Sequence, residues 1–174
     1  NLQINQDTIS DRISIRGIGS GEQAGFEQSV GTFVDGVYRG RGVQSRFAFM
    51  DIATVEVLRG PQGTLFGKNT VAGAINITTA KPTDTLEGSI SIDYTPRFNQ
   101  IETQGFLSAP LSDGIRTRFA YQTRNTDKGW VRNAISGDNY PEIKEYGVRF
   151  SAEIDLTTDT LFSFKYERAK WDNE

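Results

Sequence analysis

The chain has 174 residues, with 19 Lys and Arg against 22 Asp and Glu, for a formal net charge of -3. That length holds one domain or two small ones, and a nearly balanced charge leaves no electrostatic footprint for nucleic acid. Cysteine and histidine are both absent, which removes disulfides, thiolate and zinc chemistry and the commonest general base.

No apolar run approaches the roughly 20 residues of a spanning helix, whereas barrel strands need only about 9 to 11 alternating residues. Asn1 is not an initiator methionine and no charged-then-apolar leader follows it. The expectation is therefore a chain that was processed, trimmed or taken from a longer protein.

Residues 1 to about 84 are turn-rich, with glycines in GIGSGEQAG (17–25), YRGRG (38–42) and RGPQG (59–63). Between them lie the short β-type runs RISIRGI (12–18), VGTFVDGVY (30–38), TVEVL (54–58) and AINITT (74–79). The pattern predicts a small mixed α+β domain of short strands joined by longer loops.

Residues 59–70, RGPQGTLFGKNT, invite comparison with a phosphate-binding loop. That motif needs a glycine five positions before its Gly-Lys pair and a Ser or Thr after it. Here those places hold Gln62 and Asn69, and the segment that follows, VAGAINITTA (71–80), has the composition of a strand. A phosphate loop must instead open a helix whose N-terminus meets the anion. The better reading is a strand–turn–strand corner in which Gly60, Pro61, Gly63 and Gly67 shape the backbone.

From Thr85 the grammar changes to strict alternation. The apolar set is Ile90, Ile92, Tyr94; then Ile115, Phe119, Tyr121; then Tyr146, Val148, Phe150, Ile154; then Phe162, Phe164, Tyr166, with charged residues between. IETQGFLS (101–108) fits less well, because Phe106 falls on the polar side. Alternation alone fits a soluble antiparallel sheet with one wet face as well as a barrel wall. The dense charge on the polar face favours the wall. So do the connections, which alternate between tight (PLSDG, TTDT) and longer, as outer-membrane barrels do.

Four blocks, IRGIG (15–19), VGTFVDGVYRGR (30–41), VEVLRGPQGTLFG (55–67) and AGAINI (72–77), together resemble the plug domain of TonB-dependent outer-membrane receptors. Ala72 stands where that family usually has a second glycine. SAPLSDGIRTRFAYQ (108–122) and the Gly129-Trp130 and Arg132-Asn133 pairs resemble the family's opening barrel strands. The resemblance implies a plug over 1–84 followed, over 85–174, by the first five strands of a large antiparallel transmembrane β-barrel of about 22 strands. Such a segment is incomplete and lacks the N-terminal box that TonB grips.

The resemblance further implies no catalysis and no resident cofactor. It implies a location in the outer membrane of a Gram-negative bacterium, contact with its lipid, and active import driven by the TonB–ExbB–ExbD complex. Ferric siderophores are the family's commonest cargo; cobalamin, saccharides and aromatic compounds are alternatives, and a passive porin-like barrel is the rival reading. Two plug loops face outward in the family. Their counterparts offer Glu22, Gln23 and Phe26, then Tyr38, Arg39, Arg41, Gln44, Arg46 and Phe47, as ligand contacts. Three guanidiniums among aromatics suit an anionic, partly aromatic ligand. Arg16 and Arg59 stand where family members use arginines to lock the plug to glutamates of the wall.

Overall fold

The computed structural model describes residues 2–6, 11–19, 28–40, 44, 47–67 and 69–173. The chain divides into two compact units, Asn1–Ala80 and Lys81–Glu174.

The first unit holds two sheets. β1 (Leu2–Gln6), β2 (Asp11–Ile15) and β3 (Ile18–Gly19) form an antiparallel meander. β4 (Val30–Val34), β5 (Val37–Arg39), β6 (Ile52–Arg59) and β7 (Gly73–Thr79) form a mixed sheet in the order β5-β4-β7-β6. Its two central strands pair in parallel, and all five residues of β4 are buried. Continuous apolar runs are what strands covered on both faces require. Ile13 and Ile15 of β2 join Val30, Val34, Ala72, Ile75 and Ile77 in the core, with Phe49 and Val57 packed against it.

Two runs that read as single strands are hairpins. RISIRGIG folds at Arg16 (φ 54) and Gly17 (φ 79), and VGTFVDGVY folds at Asp35 (φ 49) and Gly36 (φ 79). Positive φ at both central residues is the signature of the two-residue turn that matches strand twist. Arg at the first position hides the turn from sequence, because Asn, Asp or Gly is usual there. β1 carried no strand signal in LQINQ and exists by pairing with β2 from Leu2↔Ile15 to Gln6↔Asp11.

The second unit is built on a five-stranded antiparallel sheet. β8 (Glu87–Thr95), β9 (Gln100–Ser112), β10 (Ile115–Thr126), β13 (Ile143–Thr157) and β14 (Thr160–Asn173) lie in the order β14-β13-β10-β9-β8. A two-stranded ribbon, β11 (Val131–Arg132) with β12 (Asn139–Tyr140), sits within the long β10–β13 connection. Residues 96–99 and 127–142 connect strands at one end of the sheet. The tight turns at 113–114 and 158–159 connect them at the other. A register shift beside Gly114 (φ 76) marks a bulge in the β9–β10 turn.

Register puts the predicted apolar set on one face. Ile90 lies opposite Gly105, which lies opposite Tyr121, and Tyr121 faces Val148; Leu107, Phe119, Phe150 and Tyr166 align one row away. These side chains are open: Ile90 and Ile92 are each 67% exposed, Phe119 45% and Phe164 48%. The opposite face carries the charges, and two of its arginines are buried, Arg118 at 6% and Arg149 at 2% exposure. A soluble sheet puts its apolar face inside and its charges in water. This one does the reverse.

The boundary of the apolar band is also sloped. Pairing carries one row from Tyr94 through Ile101, Asn125 and Lys144 to Asp172. The outermost aromatic on the apolar face of β14, however, is Tyr166, six residues nearer the tight-turn end than Asp172, Trp171 being on the opposite face beside Glu145. Tyr121 and Tyr146 are displaced from that row in the same direction. Six residues at about 3.4 Å over four strand spacings at about 4.8 Å correspond to a slope of roughly 45°. Strands of membrane barrels tilt by about 35 to 45°, so a flat apolar slab crosses their hydrogen-bonded rows at such an angle.

Candidate functional site

Of the candidate ligand residues, Tyr38, Arg39, Gln44 and Phe47 are among those described, in β5 and the segment after it. Tyr38 and Arg39 end β5, the short strand of the Asp35-Gly36 hairpin. The Tyr38 ring lies 5.3 Å from Phe33 of β4, and Phe33 lies 4.8 Å from Phe66. This aromatic row joins β5, β4 and the RGPQG corner. The buried Tyr38 hydroxyl meets no hydrogen-bond partner among the described residues. Gln44 is exposed, whereas Phe47 is buried together with Ala48 and Met50. Glu22, Gln23, Phe26, Arg41 and Arg46 lie outside the described residues.

The corner after β6 contains one turn of helix, α1 (Gly63–Phe66), which the sequence did not signal. The Gly60 amide donates to the Ala72 carbonyl at 3.2 Å and the Gln62 amide to the Thr70 carbonyl at 3.0 Å, so the two arms close on each other. Gly60 and Gly67 adopt φ 84 and 76, while Gly63 begins the helical turn. Pro61 sits beside Gly60, before that turn. A Cβ at Gly73 would collide with the Leu58 carbonyl oxygen across the β6–β7 pair, which explains the glycine of the AGAINI block. Arg16 and Arg59 are both exposed.

The Asp35 carboxylate pins the sheet, a role that the run VGTFVDGVY does not signal. Its Oδ1 accepts from the Thr79 amide at 2.9 Å and its Oδ2 from the Thr79 hydroxyl at 2.8 Å. Its own amide donates to the Ile77 carbonyl at 2.9 Å.

The polar face of the second unit is a ladder of cross-strand ion pairs. Arg124 lies 2.8 Å from Glu102 and 3.8 Å from Glu145, its direct neighbours on β9 and β13. Arg149 donates through Nε and Nη2 to Glu167 at 2.9 and 2.7 Å. Arg118 bonds Glu87 at 3.0 Å and stacks its guanidinium 3.8 Å above the Phe106 ring. That stacking accounts for Phe106 on a polar face. Arg116 joins Asp84 and Asp155 at the tight-turn end. Direct opposition of unlike charges stabilises the Arg124–Glu102 and Arg149–Glu167 pairs, while Arg118 reaches Glu87 across β9.

Comparison with known proteins agrees with this geometry. Residues 2–74 match the TonB-dependent Receptor Plug Domain. The pesticin receptor of Yersinia enterocolitica is 33% identical over 145 residues, covering 80% of this chain and 20% of its own length. The chain thus spans about a fifth of that curated relative. The crystal structure of the ferric yersiniabactin uptake receptor FyuA from Yersinia pestis superposes with a TM-score of 0.84 at 28% identity, covering 98% of this chain and 27% of that one. The pyoverdine outer-membrane receptor FpvA from Pseudomonas aeruginosa shares the fold, with a TM-score of 0.73 at 19% identity over 99% of this chain and 24% of its own. The chain belongs to the TonB-dependent outer-membrane receptors, a family of receptors and transporters rather than enzymes, and it carries plug and barrel strands.

Proposed function

We propose that the protein takes up a ferric siderophore across the outer membrane, with energy supplied by the TonB–ExbB–ExbD complex. The observation that carries this reading is the likeness to a ferric yersiniabactin uptake receptor over nearly the whole chain. The open apolar face and its sloped boundary support a wall in lipid, and the plug gives that wall something to gate. A passive pore would leave the first unit without a purpose.

Within this reading, the ligand meets the loops at residues 19–29 and 38–50. Arg39, Arg41 and Arg46 offer bidentate charge to an anionic chelate, Tyr38 offers an aromatic face, and Glu22, Gln23, Phe26 and Gln44 complete the surface. The orphaned Tyr38 hydroxyl supports this placement, since a buried donor without a partner is costly unless something else satisfies it. Phe47, the remaining candidate contact of that segment, is buried. Arg16 and Arg59, both exposed, are assigned to pairing with glutamates of later barrel strands.

Growth on limiting iron, with single ferric siderophores supplied to cells with and without TonB, tests the proposal. Growth that needs both this receptor and TonB is expected. Equal growth without TonB would exclude energised import, and a requirement only for cobalamin, a saccharide or an aromatic compound would replace the cargo.

A further inference from the structure

We infer that residues 82–85, the strap leading into β8, are a fixed mooring for the end of the plug. The last plug strand, β7, stays tied to the wall throughout uptake, and the passage opens by rearrangement of other parts of the plug. This rests on the uptake reading above and on the two units being plug and wall.

The strap belongs to the second unit, which begins at Lys81, ahead of β8. It crosses the polar face of the sheet and is pinned there twice. The Thr83 amide donates to the Ser108 hydroxyl of β9 at 2.9 Å, and that hydroxyl donates in turn to the Thr117 carbonyl of β10 at 3.1 Å. Ser108 is 0% exposed, so release of the strap would leave a buried hydroxyl short of a donor. Linked hydrogen bonds in such a dry setting reinforce one another. Next along the strap, Asp84 lies 3.3 Å from Arg116 of β10, which also holds Asp155 of β13 at 2.7 Å. The pins thus reach two strands beyond the one into which the strap leads.

The first unit is pinned just as close to the joint. β7 lies between β4 and β6, and its last residue, Thr79, is held by both oxygens of Asp35. The Ala80 amide donates to the Asp51 carbonyl at 3.0 Å. Between Ala80 and Thr83 stand only Lys81 and Pro82, a joint that spans at most about 11 Å. Pro82 is buried, and proline fixes its own φ while restricting the residue before it. The joint is therefore stiff as well as short. A central strand pinned on one side of it and a strap pinned on the other leave β7 no slack with which to move away.

The test uses the full-length receptor in cells, carrying Thr83→Cys, Ser108→Cys and Asp84→Asn together. While the thiols are reduced, both pins of the strap are weakened and the pair of Arg116 with Asp155 is untouched. The native hydroxyls of residues 83 and 108 lie 2.9 Å apart, so oxidation joins the two cysteines and restores the mooring. Sensitivity to vancomycin, which an intact outer membrane excludes, reads the hold of the plug without any cargo. In the reduced state the inhibitory concentration should fall several-fold below that of the parent, and oxidation should return it to the parent value. The oxidised receptor should also support growth on a ferric siderophore as the parent does. Thr83→Cys alone should respond to neither condition. Equal leak in the two redox states, no leak in the reduced one, or a response of the single variant would overturn the mooring. Growth lost on oxidation and regained on reduction would show that the strap must release, and would overturn its being fixed. Because the antibiotic arm needs no cargo, import of something other than a ferric siderophore would sink the proposed function and leave this inference standing.

Discussion

Asp35 shows how much one short side chain can hold. It sits at φ 49, where only a few residue types are comfortable, and its carboxylate satisfies two donors of Thr79. Asp35→Ala should cost about 1 to 3 kcal/mol, because it strands a buried hydroxyl and amide. In the full-length receptor, hydrogen exchange at the Thr79 amide should quicken, and Asp35→Asn should have the smaller effect. An unchanged exchange rate would show that the turn holds without the carboxylate. The VDG block was visible in the sequence, but its partner lies 44 residues away, and no local pattern encodes such a pairing. Arg149 makes a second prediction at this scale. Its side chain is 1% exposed, so Glu167→Gln leaves a buried guanidinium short of charge and should destabilise the wall by up to about 3 to 5 kcal/mol, read from the unfolding midpoint.

At the scale of elements, the two halves of the chain differed in legibility for a physical reason. The five strands of the large sheet in the second unit run 9 to 15 residues and alternate with period two, so their pattern accumulates over many positions. Those of the first unit are as short as two residues and owe their existence to partners. Their runs were legible, but the turns inside them, the pairing of β1 and the single turn of α1 were not. The candidate ligand loops were legible only through a family resemblance, since arginines and aromatics between glycines carry no geometry of their own. The wall offers a direct test of face assignment. Phe150→Arg, on the apolar face, should cost about 2 to 4 kcal/mol in bilayer folding experiments, and Gln122→Arg, on the opposite face, far less. Similar costs would mean that neither face meets hydrocarbon.

At the scale of the whole molecule, the five-stranded sheet stands in a bilayer with its strands tilted. Burial alone would allow any sheet whose charged face is covered. The slope of the tyrosine boundary is the more specific observation, because nothing in a soluble sheet requires its apolar edge to cut across the hydrogen-bonded rows. Nitroxide labels placed singly at positions 94, 166 and 172 of the full-length receptor in vesicles, with depth read from oxygen and nickel accessibility, test this most directly. Labels at 94 and 166 should report similar depth near the headgroups, although pairing sets them three rows apart, and position 172 should lie well outside the hydrocarbon. If instead 94 and 172 share one depth and 166 lies roughly 20 Å from both, the strands are not tilted across an apolar slab and the sheet is not the wall of a barrel.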